Sequence, residues 1–491
     1  MNTPSQTPIL SALKRYIDDK TIRFHMPGHK GGGMAGNALA DFLGKTVFAA
    51  DVTNVPGMDD LHQTYGVIKE AQEIAATTFG ADYTYFLING SSCGLQAMVM
   101  TVCNPRDSIL VPRNMHRSIL SGIILSGAVP VFFRPEYHRE YNIPLGVTAE
   151  SINRCLDRHP GVKAVMLVNP TYHGITSDIS SIARIVHDRG IPLLVDEAHG
   201  PHLYFHRELP PTAMDCGADA VVQGTHKILS AFTQASMLHL KGRLINRQRL
   251  EATLRLLQST STSYLLLASL DAARAQMSTQ GRELVQHALE LAGYIRSECN
   301  KIRGLSSFGV EIIGKSGVSG LDPCKVTISV KNLEVTGLWV EQWLRANRNI
   351  QVEMSDVFNI LLIVTSGNCQ QEAIYLLQAL REMSEMPDKN CSGTAWQSNL
   401  TDFNLLPDIP ELLVSPREAF GSPVNVLPLE NTVGRISTEI ISCYPPGVPV
   451  ICPGERITRE VIEYLLTMRD LGIHFQGCAD PALNTVRVME S

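Results

Sequence analysis

The residues best suited to covalent chemistry lie in Ala218-Asp-Ala-Val-Val-Gln-Gly-Thr-His-Lys227. A short apolar run that reads as a buried strand ends there in a polar turn presenting His226 and Lys227. A lysine at the end of a buried strand is partly desolvated, which lowers the pKa of its amine toward nucleophilic use. Thr225 and His226 beside it could hold a phosphate. Together these residues point to a lysine that carries pyridoxal 5'-phosphate (PLP) as a Schiff base.

Such a cofactor asks four things of a protein: the lysine, an acid for the pyridine nitrogen, a phosphate cradle and a group stacked on the ring. Asp196 closes the run Ile191-Pro-Leu-Leu-Val-Asp, 31 residues before Lys227. A lone Asp at a strand end is ordinarily a turn residue, but paired with a later strand-end lysine it fits the nitrogen partner. Asn89-Gly-Ser-Ser-Cys-Gly-Leu-Gln96 ends a strand and opens a helix. Ser91, Ser92 and free backbone N–H groups there could bind a dianion, although the same residues are common N-caps. His116 could stack on the ring or serve structure alone.

Two other patterns compete for attention. Gly44-Lys-Thr46 copies the end of a phosphate-binding loop, but that motif needs a glycine at position 39, where the chain has Leu39. His199, His202 and His206 near Asp196 and Glu197 resemble a metal cluster, yet their spacing fits no common zinc signature. No metal is expected.

These residues must be placed by a regular scaffold. From about residue 66, short apolar strands alternate with helices: 83–89, 108–112, 129–134, 163–169, 192–196 and 219–223 as strands, with 93–103, 116–126 and 179–188 as helices. That alternation is the pattern of a mostly parallel sheet covered on both faces. Ligands of such sheets sit at the carboxyl ends of the strands, where Ser91, Ser92, His116, Asp196, His199, Thr225 and Lys227 fall. The expected organisation is an N-terminal arm with interface loops over 1–65, a large cofactor-binding domain over 66–300 and a smaller α+β domain over 301–385. A linker over 386–399 and a C-terminal α+β domain over 400–491 complete it. The arm opens with an amphipathic helix and continues through the irregular segments 23–33 and 50–62, such as functional loops often show.

At 491 residues the chain exceeds one core. Its 44% hydrophobic and 18% charged residues are those of a globular protein. The net charge of −6 argues against a nucleic-acid binder with a broad basic surface. No apolar run approaches the roughly 20 residues that span a bilayer, and the first residues lack the pattern of a secretory signal. The eleven cysteines include no CxxC pair, as expected of reduced thiols in a cytoplasmic protein.

The stretch 224–236, with His25-Met-Pro-Gly-His-Lys-Gly-Gly32, Asn169-Pro-Thr-Tyr-His-Gly174 and Tyr444-Pro-Pro-Gly-Val-Pro449, closely resembles the ornithine/lysine/arginine decarboxylase family, in its short form without the N-terminal response-regulator-like domain. The resemblance implies the aspartate-aminotransferase fold (fold type I) and a homodimer whose active sites lie at the subunit interface, so that loops 25–33 and 51–62 reach a neighbour's site. It implies Lys227 as the Schiff-base lysine, Asp196 on the pyridine nitrogen, His116 on one ring face and Ala198 beneath the other. Ser91, Ser92 and His226 serve the phosphate, and His199 and Thr225 join the cofactor residues. Glu439, Asp59, Asp60 and His25 are the substrate-facing residues. Family members often carry Ser at the position of Gly224, which leaves one phosphate hydrogen bond open.

The activity implied is loss of CO2 from a basic amino acid, arginine to agmatine first, then lysine or ornithine, in the synthesis of polyamine precursors. An aminotransferase or aldolase on the same fold, and a catalytically silent scaffold, are the competing readings.

Overall fold

The computed structural model describes residues 3–33, 38–386, 406–444 and 447–490. In chain order, the elements that matter here are helix α1 (Pro8–Asp18), helix α2 (Val67–Thr78), strand β1 (Tyr83–Leu87), helix α3 (Gly90–Val102) and strand β2 (Ser108–Pro112). Then come helix α4 (Arg117–Ser126), strand β3 (Val129–Phe133), strand β4 (Val162–Val168), helix α5 (Ile179–His187), strand β5 (Leu193–Asp196) and strand β6 (Ala220–Gln223). Strand β7 (Ser236–Leu240), the long helix α6 (Tyr264–Cys299), strand β8 (Lys325–Ser329) and strand β9 (Asn359–Ile363) follow. The expected linker lies outside the described residues, apart from Met386.

The chain divides into two compact units, one of residues 1–101 and 194–284, the other of 102–193 and 285–491. In the first, the strands run in the order β1-β7-β6-β5. β5 and β6 are parallel, while β7 is antiparallel to both neighbours. In the second, β4, β2 and β3 are all parallel. β4, β5 and β6 are buried almost throughout, which is why their sequences run nearly continuously apolar.

Strand β7 was not among the expected strands. Its residues Ser-Met-Leu-His-Leu are all buried. They form a fully buried strand without alternation, and the run sits directly behind the lysine turn with no helix between. Helix α3 packs closely on the strands of its unit because residue 94 is glycine: a Cβ there would lie 2.7 Å from Leu87 and 2.8 Å from Val222.

α1 is amphipathic and buries Ile9, Ala12 and Leu13 in a core shared with Ile68, Phe86, Met237 and Tyr264. Its first turn is tied by side chains as well. Asp271 accepts the backbone N–H of Ile9, and Arg274 donates to Asp271 at 2.9 Å, both side chains fully buried. In the second unit β8 and β9 pair antiparallel inside one core, and Val357 and Phe358 join buried residues such as Leu429, Ile441, Leu465 and Val488 in another, beside small sheets of its own. No helix among the described residues is long and apolar enough to cross a membrane.

Candidate active site

In the first unit the ends of β1, β5 and β6 supply the residues singled out by type. β6 ends at Gln223, and one helical turn, Thr225–Ile228, follows and carries His226 and Lys227. β5 ends at Asp196, whose Oδ1 accepts the Ala198 N–H at 3.1 Å and which is 5% exposed. The two turns are joined through the backbone, since the Gly224 N–H donates to the Ala198 carbonyl at 3.2 Å. Lys227 is half-buried, and its Nζ lies 3.0 Å from Nε2 of His199.

Ser91 and Ser92 stand in the first turn of α3, where backbone N–H groups have no partner within the helix. Ser91 Oγ is 3.1 Å from Oγ of Ser236, the fully buried first residue of β7. Ser236 was missed in the sequence; the one available signal was a hydroxyl heading a buried apolar run. His226 Nδ1 donates to the Ala235 carbonyl at 2.9 Å, and burial holds its pKa below the usual imidazole range. Thr225 is 1% exposed, and its Oγ1 has no hydrogen-bond partner among the described residues.

A chain of buried groups backs Asp196. Glu197 accepts the Ala213 N–H at 2.7 Å and Gln223 Nε2 at 2.7 Å. Gln223 Oε1 lies 3.1 Å from His239 Nε2, and His239 Nδ1 lies 2.8 Å from Thr84 Oγ1. Burial drives the Glu197 carboxyl up to about 8 and the His239 imidazole down to about 3.

The substrate-facing candidates of this unit divide. Asp59 is 4% exposed, and its carboxylate accepts the backbone N–H groups of Asp60, Tyr65, Gly66, Ile68 and Lys69. It shapes the loop and caps α2, while its neighbour Asp60, the other substrate-facing acid expected here, is half-buried. His25 is held in the arm, with Nδ1 on the Met26 carbonyl and Nε2 at 2.6 Å from the Tyr16 hydroxyl.

The remaining candidates belong to the second unit. His116 is the N-cap of α4; its Nδ1 accepts the Ser118 N–H at 3.2 Å and the residue is exposed. Glu439 is 8% exposed and accepts the N–H groups of Ala479 at 2.9 Å and Arg487 at 3.0 Å; burial raises its pKa.

The donor set fits PLP. A primary amine, a buried carboxylate, an orphaned buried hydroxyl and a helix N-terminus with two serines are gathered on successive strand ends of one unit.

The fold is that of the type I PLP-dependent enzymes. Within that class, the model of the Orn/Lys/Arg decarboxylase major domain matches residues 7–372 and that of the family's C-terminal domain matches 403–482, so the chain belongs to this family of PLP-dependent decarboxylases. It is 43% identical over 485 residues to an arginine decarboxylase of Bacillus subtilis, covering 99% of this chain and 98% of that one. An arginine decarboxylase of Halalkalibacterium halodurans is 42% identical over 490 residues, covering 100% and 99%. Among solved structures, the lysine decarboxylase of Francisella novicida superposes with a TM-score of 0.86 at 24% identity, covering 99% of this chain and 81% of that one.

Proposed function

We propose that the chain converts L-arginine to agmatine and CO2, with Lys227 as the covalent anchor of PLP. The end-to-end likeness to two arginine decarboxylases carries this reading. The substrate's distal group supports it chemically: a planar guanidinium suits bidentate carboxylates, and Asp60 and Glu439 are the acids assigned to it.

Bound PLP supplies an electron sink for the pair released when the Cα–carboxylate bond breaks. The rest falls to the chain. Asp196 would pair with the pyridine nitrogen, and Ser91, Ser92, Thr225 and His226 would hold the phosphate. His116 would cover one ring face and Ala198 the other. Lys227 Nζ or the His116 imidazole holds the proton that replaces the lost carboxylate on Cα.

The working unit in this proposal is a cytoplasmic homodimer that feeds polyamine synthesis. The arm supports the dimer: Ile22, Phe24 and Met26 are 81, 94 and 69% exposed in one short segment, an apolar surface suited to a second copy. Loops 25–33 and 51–62 would then reach the neighbour's site.

The test is parallel measurement of CO2 release from arginine, lysine and ornithine by the purified protein with PLP. Arginine is expected to lead; preference for lysine or ornithine overturns the substrate, and transamination without CO2 overturns the reaction. Lys227→Ala is expected to abolish turnover and the borohydride-fixable attachment of the cofactor.

A further inference from the structure

We infer that His199 is a positioning residue for Lys227: its Nε2 accepts a hydrogen bond from the lysine and keeps a proton on Nζ whenever that amine is not attached to another group. The inference rests on Lys227 being the reactive lysine, and it gives His199 a part distinct from contact with the cofactor.

Nζ and Nε2 are 3.0 Å apart, and His199 is 5% exposed. Gly224 N–H donates to the Ala198 carbonyl, which fixes the turn bearing His199 against the turn bearing Lys227. The lysine stem runs close over Gly224, its Cδ and Cγ 3.1 and 3.2 Å from the position a Cβ there would take, so the glycine leaves it room.

Two cations at so short a contact repel strongly where one partner is buried and the other half-buried. The pair therefore holds one extra proton, and it resides on the stronger base, the amine near 10.4 rather than the imidazole near 6.5. Nε2 is then the acceptor, and Nδ1 carries the ring hydrogen. The two joined turns also carry Asp196, bonded to the Ala198 N–H, and His226 next in sequence. Burial, and the charge of Lys227 itself, hold the His226 imidazole below its usual range, while Nε2 of His199 stands at hydrogen-bond distance from Nζ.

The consequence is a division of labour. A half-buried lysine left alone tends to lose its proton. Held by His199, the amine is an ammonium when free, ready to deliver a proton rather than to attack.

The experiment uses the cofactor-free protein. Trace acetic anhydride labels amines only when they are unprotonated; labelling across pH, read by peptide mass spectrometry, gives the midpoint of Lys227. In His199→Phe that midpoint is expected to fall by about one pH unit, a tenfold change in acid constant, and Lys227 is expected to take up PLP faster at neutral pH. His199→Gln, which can set an amide oxygen near the position of Nε2, is expected to restore most of the midpoint. Lys241 in the same samples serves as the reference amine. Should the Phe variant fail to fold, His199→Met offers an unbranched side chain of adaptable shape without a comparable acceptor. An unchanged or raised midpoint in a folded Phe or Met variant overturns the inference. The readout needs no turnover: a shifted midpoint in a protein that releases no CO2 from arginine keeps the pair and rejects the proposed substrate.

Discussion

The carbonyl oxygen of Ala198 lies 2.8 Å from the position a Cβ on Gly224 would occupy. A contact that short does not persist between a real Cβ and a backbone oxygen, so the glycine is a packing requirement of this chain. Gly224→Ser, which would bring in the hydroxyl common in the family, is expected to destabilise the cofactor-free protein by about 1–3 kcal/mol through overpacking and to weaken PLP retention. Thr225 has the complementary prediction. Its buried, unpartnered hydroxyl contributes nothing to the empty fold, so Thr225→Val is expected to leave the melting temperature of the cofactor-free protein unchanged or higher, and to raise the PLP dissociation constant about tenfold, the effect of one phosphate hydrogen bond. Calorimetry without and with PLP reads both.

Glu197 makes stability depend on pH in a direction opposite to most acids. Burial is the main cause that raises its folded-state pKa from 4.5 to about 8. The folded chain therefore keeps a proton that the unfolded chain has already lost above 4.5. Between pH 4.5 and 8 the native state binds more protons, so this group's contribution falls as pH rises through that window, by up to about 1.4 kcal/mol per pH unit. Glu197→Gln matches the protonated acid in shape, keeps an acceptor for Ala213 N–H and can donate to a rotated Gln223 amide. It is expected to be close to neutral at pH 5 and stabilising at pH 8.5. Urea unfolding at the two values checks the sign, and a wild-type curve that steepens toward stability over this window contradicts it.

The strand ends were legible in the sequence because their chemistry is local. β2 ends at Pro112 as its apolar run predicts, Asp196 closes β5 and Lys227 stands in the turn just after β6, because polar residues close buried runs. The partners of those residues were not legible. Ser236 reaches Ser91 only because β7 inserts antiparallel between β1 and β6, and pairing order across 145 residues leaves no mark in either segment. Asp59 shows the same gap. The resemblance implied a substrate-facing acid, and nothing local marks its five backbone donors, which lie up to ten residues further on.

That loop yields a prediction that separates neighbours. Asp59 stands at φ +72°, a left-handed backbone that Asp tolerates better than most residues, and the Tyr264 hydroxyl donates to its carbonyl at 2.6 Å. Asp59→Ala removes the acceptor of five N–H groups and is expected to cost at least about 2 kcal/mol, since each buried donor left unmade costs roughly 1–3 kcal/mol. Asp60→Asn is expected to leave stability within about 0.5 kcal/mol and to raise the KM for arginine. Equal stability loss in both variants would remove Asp60 from the substrate's side of the loop.

Arg113 and Glu455 make the strongest demand on the second unit. The guanidinium meets the carboxylate at 2.5 and 2.8 Å, and two further donors go to the carbonyls of Pro449 at 2.9 Å and Val450 at 2.8 Å. Glu455 is fully buried and also accepts the Cys452 N–H at 2.7 Å. A pair so enclosed has a large desolvation cost that only complete pairing offsets, so removing one partner strands a buried charge. Glu455→Gln and Arg113→Met are each expected to cost about 3–5 kcal/mol, while the double substitution Arg113→Met with Glu455→Leu is expected to recover most of that loss. Arg113→Lys should rescue little, because an ammonium cannot reach the carboxylate in two places and two carbonyls together. Urea midpoints for the four variants decide it. A Glu455→Gln variant as stable as the wild type would mean that the carbonyls of Pro449 and Val450, rather than the charge of Glu455, hold Arg113 in place.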